Sequence, residues 1–142
     1  MPAHFYEQEI KSGLKDKRKL STFLDGLVAK YLPKVKKAEL NYIFCTDDYL
    51  LEMNQQFLDH DTLTDIITFD LSENKQNLIG EIYISIDRVR ENAAKFDVTV
   101  KDELHRVIFH GALHLCGFKD KKEADKKIMR QKENDCLSAY ND

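Results

Sequence analysis

Cysteine, proline and glycine are scarce in this sequence of 142 residues. The three cysteines, Cys45, Cys116 and Cys136, are odd in number and widely spaced, which argues against a disulfide framework and favours a reducing compartment. Two prolines and five glycines, without a low-complexity tract or an internal repeat, give no sign of a linker. We therefore expect a single domain over residues 1–142.

Long hydrophobic runs are also missing. No apolar segment approaches the length of a membrane span, and the first residues, Met-Pro-Ala-His-Phe-Tyr-Glu, lack the pattern of a signal peptide. Together with the cysteine usage, this absence predicts a cytoplasmic protein that does not contact a membrane.

The sequence has no large excess of charge of one sign. The formal net charge of -3 and the pI near 6.0 give no global attraction to nucleic acid, so any RNA contact must use a local basic patch. Basic stretches at residues 15–19, 34–37 and 119–122 could join on one surface to hold a phosphate backbone. The alternative is that they are solvated faces of the fold.

Hydrophobic periodicity predicts an α+β fold in which strands are interleaved with helices. We expect one mixed four-stranded β-sheet packed with about five helices, and a metal site at the end of a helix. The predicted strands span residues 4–10, 38–45, 64–69 and 78–86. The predicted helices span residues 16–32, 46–57, 87–96, 102–116 and 122–140.

The most informative segment runs from residue 110 to residue 120. His110 and His114 are four residues apart, so on a helix their side chains project from one face. Gly117 supplies a helix stop, after which the chain can bring Asp120 back toward the two imidazoles. Two histidines and one carboxylate form a three-ligand set for zinc that leaves a fourth position open for water, as in catalytic sites. Two histidines on a half-buried helix face are the alternative interpretation of the pair alone.

The segment reads His110-Gly-Ala-Leu-His114-Leu-Cys-Gly-Phe-Lys-Asp120, and it resembles the histidine motif of the YbeY family of bacterial endoribonucleases. The family motif is His-Gly-x-Leu-His-Leu-x-Gly-Tyr-Asp-His. Residues 54–57 followed by 64–69 resemble a second family signature, and residues 80–85 resemble its Gly-Asp-Ile-x-Ile-Ser strand. The trailing helix, with Met129 and Glu133, also fits. The resemblance extends from about Leu40 to the end of the chain.

The resemblance implies a zinc-dependent endoribonuclease that is specific for single strands. It would act in maturation of the 3′ end of 16S rRNA and in ribosome quality control. It implies one zinc ion, or another divalent metal, held by His110, His114 and Asp120, and it implies no nucleotide cofactor. The expected partners are RNA, namely small-subunit rRNA, and a ribosomal particle or ribosomal proteins.

The sequence departs from the family pattern at the third ligand position, where Asp120 stands in place of the usual histidine. Zinc accepts either ligand, but a carboxylate adds negative charge and makes a metal-bound water a weaker acid. Lys119 stands where the family has aspartate, and its ammonium could offset part of that charge.

A second departure is the loop arginine that the family often carries, a position that is Leu58 here. Arg106 lies one turn before His110 on the same helix face, and we expect that it can reach the site and bind a phosphate. The alternative is that Arg106 pairs with a nearby carboxylate such as Glu103 or Asp102.

No general base is evident from the sequence. The metalloprotease motif His-Glu-x-x-His places its base directly after the first ligand, but that position is Gly111 here. Asp65 and Glu81 are the candidate catalytic carboxylates, either as the base or as partners of the ligands. Both could instead be ordinary strand residues.

Other candidates are weaker. His60, in a polar loop, could approach RNA or could simply be exposed. His105 is off the face of the two motif histidines, so we do not expect it to bind metal. Cys116 could bind a soft metal, but a cysteine that packs as a small hydrophobe is the alternative.

Two other functions remain open at this point. The chain could be a non-catalytic ribosome-assembly or RNA-binding factor that keeps the metal for stability, which the changes at Leu58 and Asp120 favour. It could also be a small metallopeptidase, which Gly111 disfavours.

Overall fold

The structure is a computed structural model that describes residues 2–58 and 64–142, without the side chains of residues 57 and 58. His60 and the side chain of Leu58 therefore lie outside the described residues. The elements, in chain order, are β1 (Ala3–Glu7), α1 (Lys17–Tyr31), β2 (Lys37–Cys45), α2 (Asp47–Leu58), β3 (Ile66–Asp70), β4 (Asn77–Ser85), α3 (Ile86–Lys95), α4 (Val100–Leu115) and α5 (Glu123–Asn141).

The four strands form one mixed sheet in the order β1-β2-β4-β3. Strand β2 pairs in parallel with both β1 and β4, whereas β3 pairs antiparallel with β4 at the edge. The prediction of a mixed four-stranded sheet with about five helices is confirmed.

Each face of the sheet is covered by helices. Helices α1 and α4 pack on one face, where the side chains of Tyr42, Ile82 and Ile84 are fully buried. The Tyr42 hydroxyl donates a hydrogen bond of 2.9 Å to the carbonyl oxygen of Ile108 in α4, which satisfies the buried phenol. Helix α2 packs on the other face against a smaller cluster that includes Ile67. This arrangement fixes α4, which carries both motif histidines, against the centre of the sheet.

The start of α3 differs from the prediction. Ser85, rather than Asp87, caps the helix, because its Oγ accepts a hydrogen bond of 3.2 Å from the backbone N–H of Arg88. Asp87 lies in the first turn and accepts a hydrogen bond from the backbone N–H of Asp47.

The first strand ends three residues earlier than predicted. The side chain of Glu7 accepts hydrogen bonds from the backbone N–H and the hydroxyl of Ser12, and Glu9 takes a positive φ of 59°, so the chain turns here. Within residues 2–58 and 64–142, no helix is long and apolar enough to cross a membrane.

Candidate active site

Helix α4 presents the motif histidines and then stops where the sequence predicts. Thr99 caps its start by accepting a hydrogen bond of 3.0 Å from the backbone N–H of Asp102. At its end Gly117 takes a φ of 105°, which a residue with a side chain rarely adopts. The N–H groups of Gly117 and Phe118 donate to the carbonyls of His114 and Leu113, the paired bonds of a Schellman motif. This turn sends the chain back alongside α4.

The returning segment brings Asp120 to His110. The distance between His110 Nε2 and Asp120 Oδ2 is 3.2 Å. Two ligands bound at zinc distances in tetrahedral geometry lie about 3.3 Å apart, so these two atoms are spaced as a metal would require. This donor pair fits zinc.

Glu133 of α5 supports the other side of the imidazole. Its Oε2 lies 2.7 Å from His110 Nδ1, and its side chain is only 7% exposed. Arg106 donates from Nη1 to the second oxygen, Oε1, at 3.1 Å, and Arg130 lies 3.7 Å from the same oxygen. A carboxylate that accepts the Nδ1–H of a ligand histidine leaves Nε2 free to bind a metal, an arrangement typical of zinc sites.

Electrostatics at His110 reflect these neighbours. Burial lowers the pKa of the imidazole, but the hydrogen bond and charge of Glu133, together with the charges of Asp120 and Asp65, outweigh it, and the net pKa is raised. The site therefore attracts a positive charge at Nε2, either a proton or a cation.

His114 lies one turn further along α4 and its side chain is exposed. Among the described residues, no three histidine, cysteine, aspartate or glutamate side chains converge closely enough to form a ready metal-binding group. The structure thus brings together two of the three predicted ligands, His110 and Asp120, and leaves His114 directed to solvent.

His110, Asp120 and Glu133 line a cavity of about 690 Å³, and His114 is not part of its lining. The segment leading into β3 and helices α3, α4 and α5 all contribute to its wall. Asp65 is part of this wall, so the structure places it in the same cavity as His110. Burial raises the pKa of Asp65, the charge of His110 lowers it, and burial prevails.

The wall of the cavity includes four cationic side chains. Arg88 comes from α3, Arg106 from α4, and Lys126 and Arg130 from α5. The lysines of the predicted basic stretches, residues 15–19, 34–37 and 119–122, do not line it. The same wall also carries four carboxylates, Asp65, Glu103, Asp120 and Glu133, so the cavity places charges of both signs beside the histidine.

The model of the family described as Endoribonuclease YbeY matches residues 5–141. The chain belongs to this family. A protein named Endoribonuclease YbeY from Cytophaga hutchinsonii is 52% identical over 134 residues, which are 94% of this chain and 92% of that relative. Another protein of that name, from Flavobacterium psychrophilum, is 57% identical over 104 residues, which are 73% of this chain and 74% of that relative.

The fold is also shared with a solved structure. The solution structure of TM1509 from Thermotoga maritima matches with a TM-score of 0.62 and 28% identity, covering 97% of this chain and 88% of that chain. The predicted resemblance to YbeY, the fold class and the class of enzyme are confirmed by these matches.

The other two predicted catalytic residues lie in different cavities. Arg106 lines the cavity that holds His110, and its ion-pair partner is Glu133, 27 residues away, rather than the local carboxylates Asp102 or Glu103. Glu81 lies on the opposite face of the sheet, where it accepts a hydrogen bond of 3.2 Å from the Tyr83 hydroxyl. There it lines a second cavity, so the structure does not bring Glu81 to His110.

Two of the weaker candidates, His105 and Cys116, pack in or against the hydrophobic core. His105 is 3% exposed and its ring contacts Phe109 and Tyr140, so it belongs to the core. Cys116 is partly buried against that core, and burial raises the pKa of its thiol to about 11. A protonated thiol in an apolar setting agrees with the interpretation of a small hydrophobe.

Three residues of α5 have roles in this site that the sequence did not indicate. Glu133 was noted only as fitting the trailing helix of the family, without a role, and Lys126 and Arg130 were not singled out. The available signal was their spacing, because residues 126, 130 and 133 lie on one face of a helix, next to the inward-facing Met129. That signal does not say which element the face meets.

Proposed function

We propose that this chain is a zinc-dependent endoribonuclease that cleaves single-stranded RNA, matures the 3′ end of 16S rRNA and acts in ribosome quality control. The observation that carries the proposal is the contact of His110 with Asp120, supported by Glu133, in a cavity lined by cations and carboxylates of a chain from an endoribonuclease family. We further propose that residues 1–142 form a single hydrolase domain, that the protein is cytoplasmic, and that it acts on small-subunit rRNA in a ribosomal particle, in contact with ribosomal proteins.

One zinc ion, or another divalent metal, would be held by His110, His114 and Asp120. When bound there, such an ion acidifies a water molecule and polarises a phosphate oxygen. His110 and Asp120 are spaced for this role, and His114 would complete the set by turning its exposed imidazole toward them. Because α4 stops at Gly117, the aspartate returns to the histidine without any rearrangement of the helix.

The neighbouring residues of the chain have separate tasks. Glu133 accepts the Nδ1–H of His110 and so fixes both the tautomer and the ring orientation. Arg106 balances the charge of Glu133, and its position in the cavity wall allows it also to contact a phosphate. Asp65, in the same cavity, is our candidate for the group that moves a proton during hydrolysis.

Glu81 could act catalytically only on a substrate bound in the second cavity, on the other face of the sheet. Its place in the second cavity makes it a weaker candidate than Asp65 for any step at His110.

The packing of Gly111 counts against the metallopeptidase alternative. A Cβ at this position would lie 2.8 Å from Cγ2 of Ile82 in the sheet, so there is no room for the glutamate base of that motif. The alternative of a non-catalytic assembly factor is favoured by the leucine at position 58 and by the aspartate at the third ligand position.

Cleavage of an RNA that carries the precursor 3′ end of small-subunit rRNA tests the proposal. Wild-type protein should cleave it, and the His114→Ala protein should lose cleavage while keeping its fold and its affinity for RNA. If the wild-type protein binds metal and RNA but cleaves neither this RNA nor one presented on a ribosomal particle, the assembly factor is the correct reading. Unfolding of the protein by a chelator would point to a structural metal.

A further inference from the structure

A phenyl ring in the wall of the cavity is exposed to solvent. Phe96, at the end of α3, is 55% exposed, the highest value among the large hydrophobic side chains that the structure describes as exposed. Single exposed hydrophobic residues are common on protein surfaces. Phe96 differs from the other six because it alone lines the cavity that contains His110.

The backbone holds Phe96 in a defined position. Its N–H donates to the carbonyl of Asn92 at 2.9 Å, and the next residue, Asp97, takes a φ of 56°. The N–H groups of Asp97 and Val98 then bond to the carbonyls of Ala94 and Ala93, which closes the helix end. The ring is therefore displayed from a rigid turn, next to the cavity, without being packed into the core.

Polar groups suited to a nucleotide line the same cavity as this ring. Asn92, one turn earlier on α3, lines the same cavity, and a side-chain amide offers both a donor and an acceptor to the edge of a base. Lys126 of α5 lines the same cavity and can contact a phosphate directly. Arg106 and Arg130 line it too, and both share the Glu133 carboxylate, which leaves N–H groups of each for a phosphate. An aromatic face together with cations is the combination by which proteins bind single-stranded nucleic acid.

We propose that Phe96 forms a base-stacking subsite, in which an unpaired nucleobase of the RNA lies on its ring while the adjoining phosphates contact the cations of α4 and α5. This inference rests on the proposed endoribonuclease function and adds to it the feature that selects single strands. A base in a duplex is already stacked on both faces and cannot reach the ring without unpairing. The Lys95 ammonium, 5.6 Å from the centroid of the ring, leaves the other face available.

Binding of a short single-stranded RNA, measured by fluorescence anisotropy at low temperature, tests the subsite independently of cleavage. Phe96→Ala should weaken binding about tenfold, because stacking on one aromatic ring contributes about that much. Phe96→Trp should keep the wild-type affinity, because tryptophan also offers an aromatic face to a base. A ring that only supported the fold would give no reason for this recovery. Tyr6→Ala is the matched control, since Tyr6 is 52% exposed on β1 and does not line this cavity, and it should bind RNA like the wild type.

A scan with abasic nucleotides identifies the base. In the wild type, loss of the base at one position should weaken binding about tenfold, whereas in Phe96→Ala the same loss should cost nothing further. In turnover measurements Phe96→Ala should raise KM and leave kcat unchanged. Equal RNA affinity of wild type and Phe96→Ala, or an abasic penalty that persists in the variant, would overturn the subsite.

The two proposals fail in different ways. RNA that is bound but never cleaved by the wild type, with the Phe96 effects intact, would contradict the nuclease and leave the stacking subsite standing. Normal cleavage by a Phe96→Ala protein with unchanged KM would do the reverse. If Phe96→Ala weakens binding of an aromatic peptide and not of RNA, the ring binds protein and the base subsite is wrong.

Discussion

At the scale of single residues, Glu133 links the imidazole of His110 to two arginines. One oxygen lies 2.7 Å from His110 Nδ1 and the other accepts from Arg106 at 3.1 Å, so one buried carboxylate orients a metal-ligand candidate and a phosphate-binding candidate together. Removal of the carboxylate would leave both His110 Nδ1 and Arg106 Nη1 without this hydrogen-bond partner.

Glu133→Gln removes the charge and keeps the shape. We expect zinc affinity or cleavage activity to fall about 10- to 100-fold, because partners that orient a ligand histidine contribute about that much. Zinc titration and initial cleavage rates check this. Glu73→Gln, on an exposed turn, is the matched control and should behave like the wild type. Unchanged zinc affinity and unchanged cleavage in Glu133→Gln would show that His110 does not depend on this carboxylate.

His105 gives a prediction for stability against pH. Burial is the main cause that lowers the pKa of this imidazole, and the nearby Lys101 lowers it further. The unfolded chain, whose histidine titrates near pH 6.5, therefore binds more protons than the folded chain in the range just below that value. The free energy of unfolding should thus fall as the pH falls through 6.5 toward the lower pKa of the folded state.

The comparison of His105→Phe with the wild type isolates this effect. Thermal unfolding between pH 7.5 and pH 5 should show a smaller loss of stability in the variant. Parallel curves for His105→Phe and wild type would mean that His105 binds its proton equally in the folded and the unfolded chain.

At the scale of elements, the site depends on how closely α4 lies on the sheet. Gly111 stands between the two motif histidines, and a Cβ there would lie 2.8 Å from Cγ2 of Ile82 and 3.1 Å from Cδ1 of Ile66. This close approach sets the height of His110 above the sheet. Close packing against the sheet therefore explains why this position of the motif is a glycine.

Gly111→Ala should destabilise the protein by about 1–3 kcal/mol through overpacking, and it should weaken metal binding by lifting α4. Denaturant unfolding and zinc titration check the two effects. Gly26→Ala is the matched control, because a Cβ there meets nothing within 4 Å in the middle of α1, and it should leave stability equal or slightly higher. Equal stability of Gly111→Ala and wild type would show that the sheet side chains give way at no cost.

Local patterns predicted most of the elements. The helix stop at Gly117 and the return of Asp120 toward His110 were also predictable, since both depend on neighbours in sequence. The Glu133 partner was not, because the contact joins residues 23 apart and depends on how α5 packs on α4. For the same reason, the only ion-pair partners that the sequence suggested for Arg106 were the nearby carboxylates Asp102 and Glu103.

Strand β4 shows a second limit of sequence reasoning. Alternation places Glu81 and Tyr83 on one face and Ile82 on the other, but both faces of the sheet are covered by helices. Alternation alone therefore did not say which face meets the histidines, and it left Glu81 as a candidate alongside Asp65. The tertiary position of α4 makes that distinction.

At the scale of the whole molecule, binding of RNA by a chain of net charge -3 must be local. The cations in the cavity wall supply that local charge. The lysines at positions 15, 17 and 19, at the start of α1 and just before it, are exposed and lie outside the cavity. Long-range attraction of RNA to this protein should be weak, and affinity should depend on a few phosphate contacts.

The salt dependence of RNA binding tests this distribution of charge. Replacing Lys126 and Arg130 with alanine should reduce the slope of log affinity against log salt by about 1.4, since each contact to single-stranded nucleic acid contributes about 0.7. The double variant Lys15→Ala and Lys17→Ala is the matched control and should keep the wild-type slope. A control that loses as much slope as the cavity variant would mean that RNA binds over the whole surface.

The central claim is that RNA is cleaved at a metal held by His110, His114 and Asp120. The most direct measurement is the single-turnover cleavage rate of chelated, metal-free protein as zinc is added back. We predict no cleavage without metal, full recovery at one zinc per chain, and no recovery at that zinc level in Asp120→Ala. Undiminished cleavage by the metal-free wild type, or full recovery of Asp120→Ala at one equivalent, would contradict the claim.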